Sequence, residues 1–432
     1  MKKDYTILVP NMLPIHLTIL ETVFRNHGYN IIVLENDGAN VVDEGLKYVH
    51  NDTCYPALLV IGQLIDALKS GDYDVNKTAL MITQTGGGCR ASNYIHLLRK
   101  ALLKSGFDKV PVISLNASGM EKNSGFKYSL QMLRESLAAV AYGDLIMLLD
   151  NQVKPYEVNK GESKALVNHW IDKLADQLSK KKGYSLKDMK ANLNKISQSF
   201  ADIEKIYTPK VKVGVVGEIY VKYSHLGNNN LEEFLYEEDC EVMIPGLLGF
   251  LMYCVENGVI DTALYGGKYL KSKGSKAINE LLITIENAII DAVKKHEEFT
   301  APTGFKHLKS LGDKVIGLGA KMGEGWLLPA EIMELVELGY ENIICTQPFG
   351  CLPNHIIGKG LIRRIKGIHE DANIVPIDYD PGATRVNQEN RIKLMLSVAK
   401  EKLQTELLLE EHMKSANELL EEKKLRIIEQ RT

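Results

Sequence analysis

Short apolar runs alternate with longer amphipathic stretches in the first part of the chain. Four runs have the length and composition of buried strands: Thr6–Val9, Ile31–Leu34, Ala79–Thr83 and Val112–Leu115. The stretches between them have helical periodicity, and one of them, Ala57–Lys69, is followed by Gly71. A glycine just past such a stretch is a helix stop signal. The alternation predicts a parallel sheet with helices on both faces.

The pattern changes between residues 156 and 208, where two stretches have the periodicity of amphipathic helices. We interpret this region as a helical connector. After Pro209 the alternation of strands and helices begins again. The strand-like runs of this second part are Val211–Val216, Val242–Ile244, Ile343–Cys345 and Ile374–Ile377.

The fold class that follows is α/β, with two doubly wound, Rossmann-like parallel-sheet domains and helical insertions. We predict domains at residues 1–155 and 209–387, joined by the connector at 156–208. Residues 388–432 are predicted as a charged, helical C-terminal tail. This tail either packs on the body of the protein or forms an oligomer contact.

Composition narrows the class of protein. Of 432 residues, 45% are hydrophobic and 25% are charged, which is typical of globular proteins. The net charge of −3 does not favour nucleic-acid binding or a polybasic membrane surface. The N-terminus lacks the uninterrupted apolar core of a signal peptide, and the longest apolar stretch, near Ile244–Val255, is too short to span a bilayer. We expect a cytoplasmic protein that binds neither nucleic acid nor membrane.

Three of the six cysteines occur in similar surroundings. Cys54 precedes a proline-initiated helix, Cys89 follows three glycines after a strand, and Cys351 follows Gly350 after another strand. Each is predicted at a helix N-terminus, where free N–H groups and the helix dipole stabilise a thiolate. The flanking glycines, Gly87, Gly88 and Gly350, allow the backbone to approach a bound group and predict a cofactor-binding role.

Three converging thiolates suit a soft metal, either iron–sulfur or zinc, with one coordination position left open. The alternative is that the cysteines only fill space in the core, as free cysteines often do. That alternative suits the other three cysteines best, because Cys240, Cys254 and Cys345 lie in apolar surroundings.

Further polar residues lie where predicted strands end. Glu218 could act as an acid or base, Lys222 could contact an anion, and Asn229 could bind an amide or phosphate. The alternative for this group is a polar turn that caps the next helix. His355 could orient a ligand or transfer a proton, or could be a supporting group. No phosphate-binding loop motif follows the glycines, so we expect this chain to bind no nucleotide.

Five motifs, taken in order, make the sequence resemble the C-terminal region of the large acyl-CoA dehydratase activases. That region is related to the subunits of 2-hydroxyacyl-CoA dehydratases and to double-cubane cluster proteins. The resemblance extends from about Tyr5 to Ala383. The motifs are Asp52-Thr-Cys-Tyr-Pro-Ala57, Gly86-Gly-Gly-Cys-Arg-Ala-Ser-Asn-Tyr94, Gly217-Glu-Ile-Tyr-Val-Lys222 with Asn228-Asn229, Gly323-Glu-Gly-Trp-Leu-Leu328 and Gln347-Pro-Phe-Gly-Cys-Leu-Pro-Asn-His355.

The resemblance implies one 4Fe–4S cluster per chain, bound by Cys54, Cys89 and Cys351. It also implies an ATP-dependent activase as electron donor, and a homodimer or a heterodimer with a paralogous subunit. The expected function is that of an oxygen-sensitive iron–sulfur protein. Such a protein uses low-potential electrons for radical dehydration or reduction of an acyl-CoA or another small molecule.

Two alternatives to this function remain. One is a cluster-carrying electron-transfer or scaffold subunit without catalysis of its own. The other is a metal-free α/β ligand-binding protein.

Overall fold

A computed structural model describes residues 4–50, 52–85, 88–116, 125–266 and 269–429. The first sheet contains four parallel strands in the order β2-β1-β3-β4. They are β1 (Thr6–Val9), β2 (Asn30–Val33), β3 (Thr78–Thr83) and β4 (Val112–Leu115). The helices beside them are α1 (Pro14–Asn26), α2 (Ala39–Tyr48), α3 (Tyr55–Lys69) and α4 (Tyr94–Ser105). Two 3₁₀ turns, Val75–Lys77 and Arg90–Asn93, complete this half.

Three helices connect the two sheets: α5 (Leu130–Val153), α6 (Glu162–Ser179) and α7 (Leu186–Ala201). The side chains of Ser129 and Ser185 cap α5 and α7, as serine commonly does at a helix start. α5 is buried along most of its length and contacts both α1 and β6 (Cys240–Met243). α5, which lies before the predicted connector at 156–208, therefore packs between the two halves.

The second sheet repeats the strand order of the first, with the parallel arrangement β6-β5-β7-β8. Besides β6, its strands are β5 (Val211–Gly217), β7 (Asn342–Pro348) and β8 (Asn373–Tyr379). The helices are α8 (Ile219–Tyr223), α9 (His225–Asn228), α10 (Leu231–Glu237), α11 (Leu247–Tyr265), α12 (Tyr269–Val293), α13 (Phe305–Val315), α14 (Leu327–Glu337), α15 (Leu352–Ile357), α16 (Ile362–Lys366) and α17 (Arg385–Glu429), with a 3₁₀ turn at Lys359–Leu361.

The prediction of two parallel sheets flanked by helices is confirmed. β3 and β7 are buried along almost their whole length, as expected of strands covered on both faces. In the first sheet the chain runs from β1 to the edge strand β2 and from β3 to the opposite edge strand β4. In the second sheet it likewise runs from β5 to β6 and from β7 to β8, so the direction reverses at the central pairs β1–β3 and β5–β7. The crevice beyond the carboxyl ends of such a pair is where α/β folds place ligands.

The core is shared between the halves. One apolar cluster contains Ile7 of the first sheet and Ile343 of the second. The other contains Leu80 of the first sheet and Val213 of the second. Residues of both sheets therefore belong to the same apolar clusters, and helices such as α5 pack between the two halves.

Two expectations about α11 need correction. Cys254, expected in the core, is exposed, because the helix turns its neighbours Met252 and Tyr253 inward instead. The apolar segment is also longer than the sequence indicated. In the described part of the chain α11, with 19 residues, is the one helix whose length and composition could span a membrane, which by itself is weak evidence for a span. Its Glu256 is paired with Lys309 at 2.5 Å.

Candidate functional site

Cys54 lies at the start of α3, as predicted. Its side chain is buried, and the thiol Sγ is 2.8 Å from the hydroxyl of Tyr94, the first residue of α4. Burial raises the pKa of the Cys54 thiol to about 11, although the hydrogen bond from Tyr94 acts in the opposite direction. Burial also raises the pKa of Tyr94 well above its usual value, so the phenol keeps its proton and can donate it to a Cys54 thiolate.

The Cys351 turn of the second half packs against Cys54 of the first half. Gly350 has φ +73°, in the left-handed region that favours glycine. A Cβ at this position would lie 3.3 Å from the Cα of Cys54. The backbone N–H of Tyr55 donates to the carbonyl oxygen of Phe349 at 3.0 Å. Two of the three predicted ligands are thus carried by segments in direct backbone contact.

Cys89 precedes the 3₁₀ turn Arg90–Asn93, and the N–H of Ala91 points at its Sγ over 3.5 Å. Arg90 donates to the backbone oxygen of Asp52 at 2.6 Å, which ties the Cys89 turn to the residues before Cys54. A Cβ at Gly88 would collide with the sulfur of Met322. Gly87, the other glycine predicted to bind a cofactor here, lies outside the described residues.

Cys89 and Cys351 have similar electrostatic surroundings. Burial is the main cause that raises the pKa of Cys89, to about 12, and that of Cys351 even further. Negative charge on Cys54, Glu218 or Glu324 raises both values further. Cys54, Glu218 and Glu324 are therefore common electrostatic neighbours of Cys89 and Cys351, although the thiols and carboxyls of the described residues do not converge on one point.

Those two carboxyl groups come from separate segments. Glu218 follows β5 and caps α8 by accepting from the N–H of Val221 at 2.9 Å. Glu324 accepts from the N–H of Ile219 at 3.1 Å. Burial raises the pKa of both carboxyls, and the charge of Glu324 helps to bring that of Glu218 to about 8. Sequence reasoning assigned no role to Glu324, although it lies in one of the five motifs.

Lys222 has a buried partner. Its Nζ lies 3.2 and 3.3 Å from the two carboxylate oxygens of Glu331 on α14, and both side chains are almost completely buried. Burial raises the pKa of Glu331, while Lys222 acts against that rise. The sequence pattern did not indicate Glu331. Lys222 stabilises the packing of α8 on α14 and shapes the electrostatics around Glu218 and Glu324.

The last two predicted residues, His355 and Asn229, both make hydrogen bonds within the chain. His355 donates from Nδ1 to the carbonyl oxygen of Cys351 at 2.8 Å, so it supports the Cys351 turn. Asn229 has φ +58° and donates to Gln388 of α17 at 2.7 Å. Its neighbour Asn228 accepts from the N–H of Leu231 at 3.1 Å, as the capping alternative predicted. Asn229 therefore holds α17 on the body.

Unpaired polar atoms flank Cys351. Both amide atoms of Gln347 and the Nδ2 of Asn354 are buried without a hydrogen-bond partner. Buried polar groups are usually paired with protein, ordered water or a ligand, because an unpaired group costs free energy. These amides indicate a place where a polar group outside the protein chain is accommodated.

In the part of the chain that the structure describes, no three His, Cys, Asp or Glu side chains form a ready-made metal site. The three thiols have the chemistry of ligands for soft metals, but they are protonated, and the thiol of Cys54 is hydrogen-bonded to Tyr94. Metal binding would have to remove these protons and reorient the thiols. The donor set fits a thiolate-bound metal once the side chains have reoriented.

Comparisons with known proteins do not assign the chain to a family. A scan against protein-family models finds no match, and no curated protein matches the sequence.

Proposed function

We propose that this chain is an iron–sulfur protein whose cluster is held by Cys54, Cys89 and Cys351 at the junction of its two halves. One observation carries the proposal: the three thiols each lie at the start of a helix or helical turn, and the segments of Cys89 and Cys351 both hydrogen-bond to the segment of Cys54. Free cysteines that merely fill the core have no reason to share this placement.

The backbone around these cysteines supports the same proposal. N–H groups at helix starts stabilise thiolates and the sulfur atoms of clusters. Close backbone approach at Gly350 brings the two halves together at Cys54. The unpaired amides of Gln347 and Asn354 provide further polar contacts beside Cys351. A bound cluster would supply one-electron chemistry, with one position open to a small molecule.

Glu218 and Glu324 give the site a proton donor. Both carboxyls accept hydrogen bonds from N–H groups of α8, and the raised pKa of Glu218, about 8, means that this group holds a proton at neutral pH. Lys222 and Glu331 form a neighbouring buried ion pair that holds α8 and α14 in place. We propose that the carboxyl pair donates this proton to a small molecule bound in the crevice.

We further propose that the electrons come from an ATP-dependent activase in the reducing cytoplasm, as in the dehydratases that the sequence resembles. The surface beside Cys351 supports this proposal. Phe349, Leu352 and Ile356 are large apolar residues that are 52% to 64% exposed. Exposed apolar side chains that flank a site are typical of docking surfaces. The reaction that such electrons would serve is dehydration or reduction of an acyl-CoA or another small molecule.

The direct test is to purify the full chain without oxygen, reconstitute it with iron and sulfide, and measure both together with a visible spectrum. We expect about four irons per chain and a broad sulfur-to-iron absorption band. A colourless protein without iron after reconstitution would contradict the proposal and favour a metal-free ligand-binding protein. A zinc-bound, colourless protein would keep the thiolate site but contradict the cluster.

A further inference from the structure

The long C-terminal helix α17 uses one face to contact the body of the protein. Ile392, Met395, Leu396 and Ala399 are buried on this face, and the helix packs on β8. Leu403 is the last apolar residue of this face, where the helix leaves the body. From residue 404 to 410 and from 412 to 414 the side chains are exposed, apart from the half-buried Leu407.

A second apolar face runs along the same helix without a partner. Leu394, Val398, Leu409 and Met413 are all more than half exposed. Their separations of 4, 11 and 4 residues are close to multiples of the helical repeat of about 3.6 residues, so they form one stripe. The stripe begins on the part of α17 that packs on the body and continues onto the part that leaves it.

The first part of this stripe borders a groove of about 390 Å³ between α17 and β8. Its lining is mainly apolar, with two polar residues: Ile374, Val375, Pro376, Leu394, Met395 and Val398, together with Asn373 and Arg391. β8 is the edge strand of its sheet. Pro376 has no N–H to donate, and Arg391 already donates to its carbonyl oxygen at 2.7 Å. The groove therefore suits an apolar helix face better than an added strand.

We propose that this groove receives residues 404–414 of α17 from a second copy of the chain, so that two copies pair through antiparallel α17 helices. With a two-fold axis between residues 403 and 404, Val398 of one copy faces Leu409 of the other, and Leu394 faces Met413. Each groove is filled by the free end of the other helix. The contact is therefore closed and symmetric and has no tendency to extend into a filament.

The charges along α17 favour the antiparallel orientation. The segment Arg385–Lys402 has five basic and two acidic residues, whereas Glu406–Glu422 has six acidic and one basic residue. The five basic residues already have acidic partners in their own chain, and antiparallel pairing adds the acidic segment of the other copy along them. Parallel pairing would place like charges side by side, which costs free energy.

The first test is the mass of the full chain in solution, by light scattering, for wild type, Leu409→Glu and the control Leu103→Glu. Leu103 is an equally exposed leucine on α4, far from the stripe in sequence. We expect wild type and the control at about twice the chain mass of 48.3 kDa, and Leu409→Glu at the mass of one chain. A monomeric wild type, or a dimeric Leu409→Glu variant, would overturn the proposal.

The second test is disulfide formation in the double variant Val398→Cys, Leu409→Cys. The two positions are about 16 Å apart along one helix, so a disulfide between them can form only between copies. We expect a covalent dimer with the double variant and not with either single variant. All three variants retain the exposed Cys254, so a cross-link through Cys254 would be common to all of them. Equal cross-linking of Val398→Cys alone would indicate parallel pairing and overturn the proposal, as would the absence of cross-links in the double variant.

Discussion

The hydroxyl of Tyr94 and the thiol of Cys54 share a hydrogen bond of 2.8 Å. Tyr94 begins α4, which follows directly after the turn that carries Cys89. One side chain therefore connects the segments of two predicted ligands. Because the phenol keeps its proton, it favours negative charge on the Cys54 sulfur and opposes the effect of burial.

Tyr94→Phe should make the Cys54 thiol harder to ionise. Loss of the donor moves its pKa further above about 11, so the pH dependence of its alkylation shifts to higher pH. Mass spectrometry of Cys54 after timed alkylation at several pH values measures this shift. Tyr265→Phe, at an exposed tyrosine, is the control. An unchanged alkylation profile for Tyr94→Phe would mean that the hydrogen bond does not tune the thiol.

Lys222→Ala should destabilise the protein by about 3–5 kcal/mol, because it leaves the carboxylate of Glu331 buried without its partner. The double variant Lys222→Met, Glu331→Leu should recover most of that loss, since it removes both charges. Urea denaturation measures the free energies of unfolding. Lys180→Ala, in an exposed pair with Asp176, should cost no more than about 1 kcal/mol. Equal losses at Lys222 and Lys180 would contradict the role given to the buried pair.

Glu218 should make the protein less stable as pH rises. The folded protein keeps a proton on Glu218 up to about pH 8, whereas the unfolded chain releases it at the ordinary glutamate pKa of about 4.3. The free energy of unfolding therefore falls through that window, by up to about 1.4 kcal/mol per pH unit. Glu218→Gln should flatten the slope, and Glu297→Gln, at an exposed position, should not. Denaturation at pH 6, 7 and 8 compares the variants. Other buried carboxyls such as Glu324 and Glu286 contribute slopes of the same sign, so a slope in Glu218→Gln equal to that of wild type would refute this assignment.

Gly350→Ala should cost more stability than Gly339→Ala. Both glycines have positive φ, so both substitutions carry the backbone strain of about 1 kcal/mol or more. Only at Gly350 does the added Cβ crowd the Cα of Cys54, whereas nothing lies within 4 Å at Gly339. The difference between the two free energies of unfolding isolates the contact between the halves. Equal costs would mean that the Cys351 turn does not depend on close packing against Cys54.

The sequence was sufficient to predict every strand of both sheets. Buried parallel strands are short apolar runs, and the observed β1 and β4 coincide with the predicted Thr6–Val9 and Val112–Leu115. The placement of Cys54, Cys89 and Cys351 at helix starts was also predictable, because proline and glycine mark such positions locally. These features depend on neighbours in the chain.

What the sequence did not indicate depends on packing between distant segments. Glu331 lies 109 residues from Lys222, and the partnership appears only when α14 packs beside α8. Asn229 follows a strand, as a ligand-binding residue could, yet it contacts Gln388 of the C-terminal helix, 159 residues away. Cys254 has apolar neighbours, but the rotation of α11 that exposes it depends on its packing in the fold.

The central claim is that Cys89, with Cys54 and Cys351, binds iron. The most direct measurement compares iron and sulfide per chain in Cys89→Ser and Cys254→Ser after identical anaerobic reconstitution. Cys89 is the least buried of the three predicted ligands, so its substitution disturbs the fold least, and circular dichroism checks that both variants are folded. We expect Cys254→Ser to keep the iron content of wild type and Cys89→Ser to lose most of it. A folded Cys89→Ser protein with the full iron and sulfide of wild type would contradict the account.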